Sequence, residues 1–133
     1  MDDILFQLDL IWSIFLQYMS KMNECKEDKE ILVRLWSVQY YWKNVLNASF
    51  EIGEINECDF FKDDMETCID DIVFIHNQWI MCMSQLSKEE LHSIKLCRWP
   101  FDNRSFFSLA LWVNIEFMKY VSEIGLLHEK NSG

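Results

Sequence analysis

Apolar residues recur along this chain at three- and four-residue steps with polar positions between them, and that spacing predicts helices. Ile4, Leu8, Ile11, Phe15, Tyr18 and Met22 mark a first helix over about residues 3–22, with Asp2 or Asp3 as its cap. Ile31, Leu35, Val38, Trp42 and Val45 mark a second over about 28–48, entered through Glu27-Asp28. The stretch "SFEIGEINECDFF" has mixed polarity and a glycine, so it reads as a loop with apolar anchors at Ile52, Ile55, Phe60 and Phe61. A third helix follows from about Asp63 to Leu86, with Met65, Ile69, Ile72, His76, Trp79, Met83 and Leu86 on one stripe. "SKEE", Ser87 to Glu90, is a capping box that starts a short helical turn. "HSIKLCRWPFDNRS" reads as irregular, because Pro100 biases Trp99 away from helix and Asp102-Asn103 favours a turn. The last helix begins near Asn103 to Ser105 and runs to about Leu127, with Leu109, Val113, Phe117, Tyr120, Ile124 and Leu127 in register.

Four long helices and only three glycines and one proline predict an all-α, four-helix bundle with a short irregular connection before the last helix. At 133 residues the chain fits one domain spanning residues 1–133. The long loop after the second helix permits a crossover as well as simple up-down-up-down order, and the sequence does not choose between them.

Composition narrows the partners. Ten Phe, six Trp and four Tyr are more rings than one small bundle needs, which predicts an exposed apolar patch suited to a homodimer or another protein partner. With 22 acidic against 12 basic residues the formal charge is -10, which repels nucleic-acid backbones and anionic membrane surfaces over a Debye length of ~8 Å. No apolar run approaches the ~20 residues of a membrane span, and Met1-Asp2-Asp3 lacks the basic start of a secretory signal. The five cysteines (Cys25, Cys58, Cys68, Cys82, Cys97) are an odd number without a C-x-x-C pair, as expected of reduced thiols in a cytoplasmic protein.

Candidate chemistry is sparse. Glu116, Tyr120 and Glu123 fall four and three residues apart and form one polar seam on the last helix. A metal site would need a histidine from another helix, yet His76, His92 and His128 do not converge by any evident pattern. His76, inside an apolar stripe, reads as a hydrogen-bonded core histidine, with a site role as the alternative. Trp36, Tyr40, Tyr41 and Trp42 are aromatics of the kind that fill cores, and they could instead line a ligand pocket. Such a pocket would draw on Trp36, Val38, Gln39, Trp42, His76, Trp112 and Glu123. Cys68 and Cys82 read as small hydrophobes, and Asp63-Asp64 and Asp70-Asp71 as cap charge and a solvated face. There is no Gly-rich phosphate loop, serine nucleophile elbow or H-E-x-x-H.

Two of these segments carry a resemblance. "WVNIEFMKYVSEIGLLHE" resembles the last helix of the DinB/YfiT-like superfamily of four-helix bundles, and "RLWSVQYYW" is similar to that family's metal-ligand pattern on the second helix. The resemblance implies the family's fold and places its former metal-site positions on Arg34, Glu116 and Tyr120. Only the glutamate is an ordinary ligand, since a guanidinium stays protonated and Glu with Tyr is a poor divalent-metal pair. What is implied is a bundle with an eroded metal site and no cofactor. Arg34 is expected to replace the lost cation in a buried pair with Glu116, with Tyr120 donating to the same carboxylate, a pair whose breakage costs ~3–5 kcal/mol. The plain alternative is that Arg34 reaches solvent along its stem. The function expected is non-catalytic binding: of a protein partner in an inhibitor or immunity-type role, of a second copy, or of a small-molecule ligand. The alternative is a metal-dependent thiol-transferase or hydrolase of the same family, its metal held by Glu116 with His76 or a cysteine. A scaffold within a larger assembly is a third class.

Overall fold

In a computed structural model, the chain is described at residues 2–22, 28–53, 55 and 59–132. Among these residues it is all-α without a strand: α1 (Asp2–Met22), α2 (Lys29–Phe50), α3 (Met65–Ser84), the one-turn α4 (Lys88–Leu91) and α5 (Phe106–Ser132). Cys25, Glu27 and Cys58 lie outside the described residues.

The helix starts follow from local chemistry. Asp28 caps α2 by accepting from the Glu30 and Ile31 N–H groups at 2.8 and 3.3 Å. Asp64 caps α3 by accepting from the Thr67 N–H at 2.7 Å. The Ser87–Glu90 capping box closes in both directions and begins α4. Each cap satisfies an orphan donor of the first turn, worth ~1 kcal/mol.

Pairs of touching residues give the helix directions. Ile4 and Gln7 of α1 accept from the Asn114 amide, Phe15 packs on Phe117, and Tyr18 lies over Gly125, so α1 and α5 run parallel. Arg34 meets Glu123, Tyr41 meets Tyr120 and Phe50 meets Phe106, so α2 runs antiparallel to α5. Gln39 reaches Cys68, Trp42 meets His76 and Phe50 meets Trp79, so α3 runs parallel to α2. Trp12 of α1 stacks on His76 of α3 and links the remaining two. The order is therefore up, down, down, up, which makes the connection between α2 and α3 a crossover. Its far end lies back at the level of Trp36, whose indole N–H donates to the Lys62 carbonyl at 2.8 Å. The return covers roughly 20 Å, within reach of 14 residues.

One apolar cluster draws on every long helix: Leu8, Ile11 and Phe15 from α1, Leu35, Val38 and Trp42 from α2, Ile72, Ile75 and Trp79 from α3, and Val113, Phe117 and Ile124 from α5. Four predicted stripe positions shift to a neighbour: on α3, Cys68 and Ile75 are buried where Ile69 and His76 are only partly so. Met19 and Val121 enter the core while the neighbouring Tyr18 and Tyr120 stay at its margin, where a phenol keeps its ring in apolar contact and its hydroxyl near water. Gly125 is where α5 approaches Tyr18 most closely, since a Cβ there would sit 2.6 Å from the ring.

Candidate functional site: an aromatic cleft between α2 and α5

The antiparallel register of α2 and α5 decides what becomes of the polar seam. Arg34 Nε lies 3.5 Å from Glu123 Oε2, not beside Glu116, and the two side chains are 33% and 40% exposed. Glu116 sits at the level of Tyr41 instead, two helical turns or ~10 Å further along α2. The expected Arg34–Glu116 pair is thus corrected: Arg34 forms a half-open surface bridge, and its guanidinium also donates to the Glu30 carbonyl at 3.3 Å. Glu116 takes its cation from its own helix, with Lys119 Nζ at 3.1 Å.

The residues implied to descend from a metal site do not fit one. Arg34 is displaced from Glu116 and Tyr120 by the register, and Glu116 is already neutralised by an ammonium. Among the described residues no three His, Cys, Asp or Glu side chains come together. His76 is committed elsewhere: its ring stacks on Trp12 at 3.7 Å with planes 5° apart and meets Trp42 edge-on. Burial pushes its pKa down from 6.5 to about 4, against smaller opposing influences of Asn77 and Asp9. Its Nδ1 is buried without a hydrogen-bond partner, and the ring as a whole is partly buried at the margin of the core.

What α2 and α5 do build is a cleft of about 540 Å³ on their outer side, within the size range of small-molecule sites. Seven aromatic side chains line it: Trp36, Tyr40 and Tyr41 from α2, Trp112 and Tyr120 from α5, Phe61 from the crossover and Trp99 from the segment before α5, with Pro100 beside it. Of the predicted pocket, Trp36 and Trp112 line this cleft together with Glu116 and Tyr120. Val38, Trp42 and His76 do not, because they lie on the faces of α2 and α3 turned to the core. Glu123 is drawn off to Arg34.

Gln39 is fully buried and acts as a strut for the wall. Its amide accepts from the Phe61 N–H at 3.1 Å and donates to the Cys68 carbonyl at 3.4 Å. Phe61 has a φ of 66°, unusual for a residue with a Cβ, and it holds that conformation while Gln39 takes its N–H and Trp36 and the Cys68 thiol take the Lys62 carbonyl.

The floor and rim carry the electrostatics. Tyr41 is 4% exposed, and its hydroxyl has no hydrogen-bond partner. Burial first, then the nearby Glu116 and Tyr120, raise its pKa well above the ordinary phenol value, so it stays protonated. Lys119 Nζ lies 4.5 Å from the centre of the Tyr120 ring while paired with Glu116, and the Glu116 hydrogen bond raises its pKa. Trp99 stands edge-on to both Tyr40 and Trp112, with planes 82° apart in each case. The cleft therefore presents aromatic rings at right angles and one carboxylate, over a buried Tyr41 hydroxyl.

The sequence carried a signal for most of this. Val33, Trp36, Ser37 and Tyr40 form a second stripe on α2, offset from its core stripe, and Trp112, Glu116 and Tyr120 form its counterpart at four-residue steps on α5. Phe61, Trp99 and Pro100 had no such periodic signal. No protein-family model, curated protein or solved structure matches the chain.

Proposed function

We propose that this protein is a non-catalytic binding protein, built as a four-helix bundle with an up-down-down-up crossover, that receives a partner molecule in the cleft between α2 and α5. The carrying observation is the concentration of seven aromatic side chains around one open cavity, at positions offset from the core stripes. Rings that only fill a core turn inward, as Trp42 and Trp79 do. Half-exposed rings such as Tyr40, at 56%, leave apolar surface in water that a ligand would cover. The acidic charge favours a basic partner, including one held in an inhibitor or immunity-type complex. The DinB/YfiT-like resemblance enters this reading only through the bundle, since Glu116 and Tyr120 line the cleft while Arg34 is paired with Glu123 outside it.

The experiment is a thermal-shift screen of chemically diverse fragments against the wild type and Trp112→Ala. Compounds that raise the wild-type melting temperature and leave the variant unmoved support the reading. Equal stabilisation of both proteins by every active compound would put binding elsewhere and overturn it.

A homodimer is a second reading, favoured by exposed apolar side chains on the neighbouring helices α1 (Phe6, Leu10, Ile14) and α5 (Ile115, Met118). It predicts twice the monomer mass in sedimentation and a return to monomer for Leu10→Glu. A monomer at high micromolar concentration would refute it.

A further inference from the structure

We infer that the α2–α5 cleft is a cage for a methylated ammonium group and that Lys119 is its tethered competitor. The inference rests on the cleft being the binding site and names the chemistry of what enters it. Cations are attracted to the negative faces of aromatic rings, and a desolvated site strengthens the attraction. To surround a roughly spherical cation, the ring planes must stand at angles to one another, because parallel stacking hides faces against faces. Trp99 meets that condition, standing at 82° to Tyr40 and to Trp112. Glu116 supplies a formal negative charge at the same place.

Lys119 shows what this corner accepts. Its ammonium touches the Glu116 carboxylate at 3.1 Å and lies 4.5 Å from the Tyr120 ring centre. Those are the two contacts an ammonium ligand would make, a carboxylate and a ring face. The lysine side chain is half exposed and flexible, and solvent-exposed pairs of this kind are weak, so a better-matched cation can displace it into water.

The better match is methylated. A primary ammonium brings three N–H donors that each need an acceptor, whereas the surface the cleft exposes is mostly apolar ring, with Glu116 and the hydroxyl-bearing Ser37, Tyr40 and Tyr120 as its polar side chains. Methyl groups replace those donors with apolar surface while the charge remains. About 540 Å³ leaves room for the carrier of the group as well. That carrier is either a free quaternary amine or a methyl-lysine side chain, and the two share one recognition chemistry.

The experiment is calorimetric titration of the full chain with choline, with a short peptide containing trimethyl-lysine, and with the same peptide carrying the uncharged tert-butyl isostere. At least one trimethylammonium ligand is expected to bind the wild type, the peptide at least tenfold more tightly than its isostere if a side chain is the carrier. Whichever of the two cations binds more tightly identifies the source. Glu116→Gln is expected to weaken binding about tenfold, and Lys119→Gln to tighten it several-fold. Lys119 is exposed, so that variant keeps the test valid even if Glu116→Gln disturbs the fold. An isostere that binds as tightly as its cation would overturn the cage while leaving the cleft as a binding site. Absence of binding by both cations at millimolar concentration, to wild type and Lys119→Gln alike, would overturn the cage too, with the fragment screen judging the cleft separately. Weaker binding by Lys119→Gln would overturn the competitor role.

Discussion

The molecule holds two aromatic clusters that share Tyr41 and Trp42 as sequence neighbours and differ in almost everything else. At the centre, Trp12, His76, Trp42 and Phe117 close on one another, the imidazole flat against Trp12 and edge-on to Trp42, with Trp42 5.1 Å from Phe117. In the cleft, Trp99 stands edge-on to Tyr40 and Trp112 while Tyr120 stacks on Tyr41, all around an open cavity. The titratable groups differ in parallel. Burial of the central imidazole holds its pKa down, while the cleft's carboxylate is paired with an ammonium. Residue type does not separate a core from a site here; the exposure of the rings and the company of the polar groups do.

The largest effect should come from emptying each cluster in turn. Trp42→Ala removes a fully buried ring and is expected to cost ~3–5 kcal/mol in denaturant unfolding. Trp112→Ala removes a half-buried one and should cost about half as much while abolishing ligand binding. Equal costs would erase the distinction between closed centre and open cleft.

Acid should strike the centre first. The folded pKa of His76, about 4, lies below its ordinary 6.5, so the unfolded chain takes up the proton before the folded one does. Its contribution is complete above pH 6.5 and is lost as the pH falls toward 4. The loss is expected to be about 2 kcal/mol, less than the full shift implies because the ring is partly open to solvent screening. His76→Phe keeps the stack on Trp12 and should flatten the stability profile across that window. An unchanged slope in the variant would show that other groups govern it.

Gln39→Ala should cost ~1–2 kcal/mol by leaving the Phe61 N–H without its acceptor, and should loosen the cleft wall enough to weaken ligand binding. At the small end, Arg34→Gln should change stability by less than ~1 kcal/mol, as befits a half-exposed bridge. A loss near the ~3–5 kcal/mol of a buried pair would restore the polar centre that the register of α2 and α5 argues against.

The helices were legible because burial repeats at their own period: Leu8, Leu35, Ile72 and Val113 all lie where the apolar steps put them. Ser87 and Asp64 cap as their side chains require. The cleft was half legible, through Trp36, Tyr40, Tyr41 and Trp112, since a second stripe beside a core stripe marks a face that is neither core nor ordinary surface. The pairing of Arg34 was misread because pairing depends on the axial register of two helices, which no single-helix period contains. Phe61 and Trp99 could not be placed at all, as their positions follow from the path of irregular segments pinned by Gln39 and Trp36.

The six tryptophans divide evenly between the cleft and the interior, so the indole N–H signals of isotope-labelled protein report on the central claim directly. On titration with a trimethyl-lysine peptide, the cleft residues Trp36, Trp99 and Trp112 are expected to shift in a saturable way while Trp12, Trp42 and Trp79 stay in place. Shifts confined to the latter three, or absent from all six, would contradict the assignment of the cleft as the site where this protein binds.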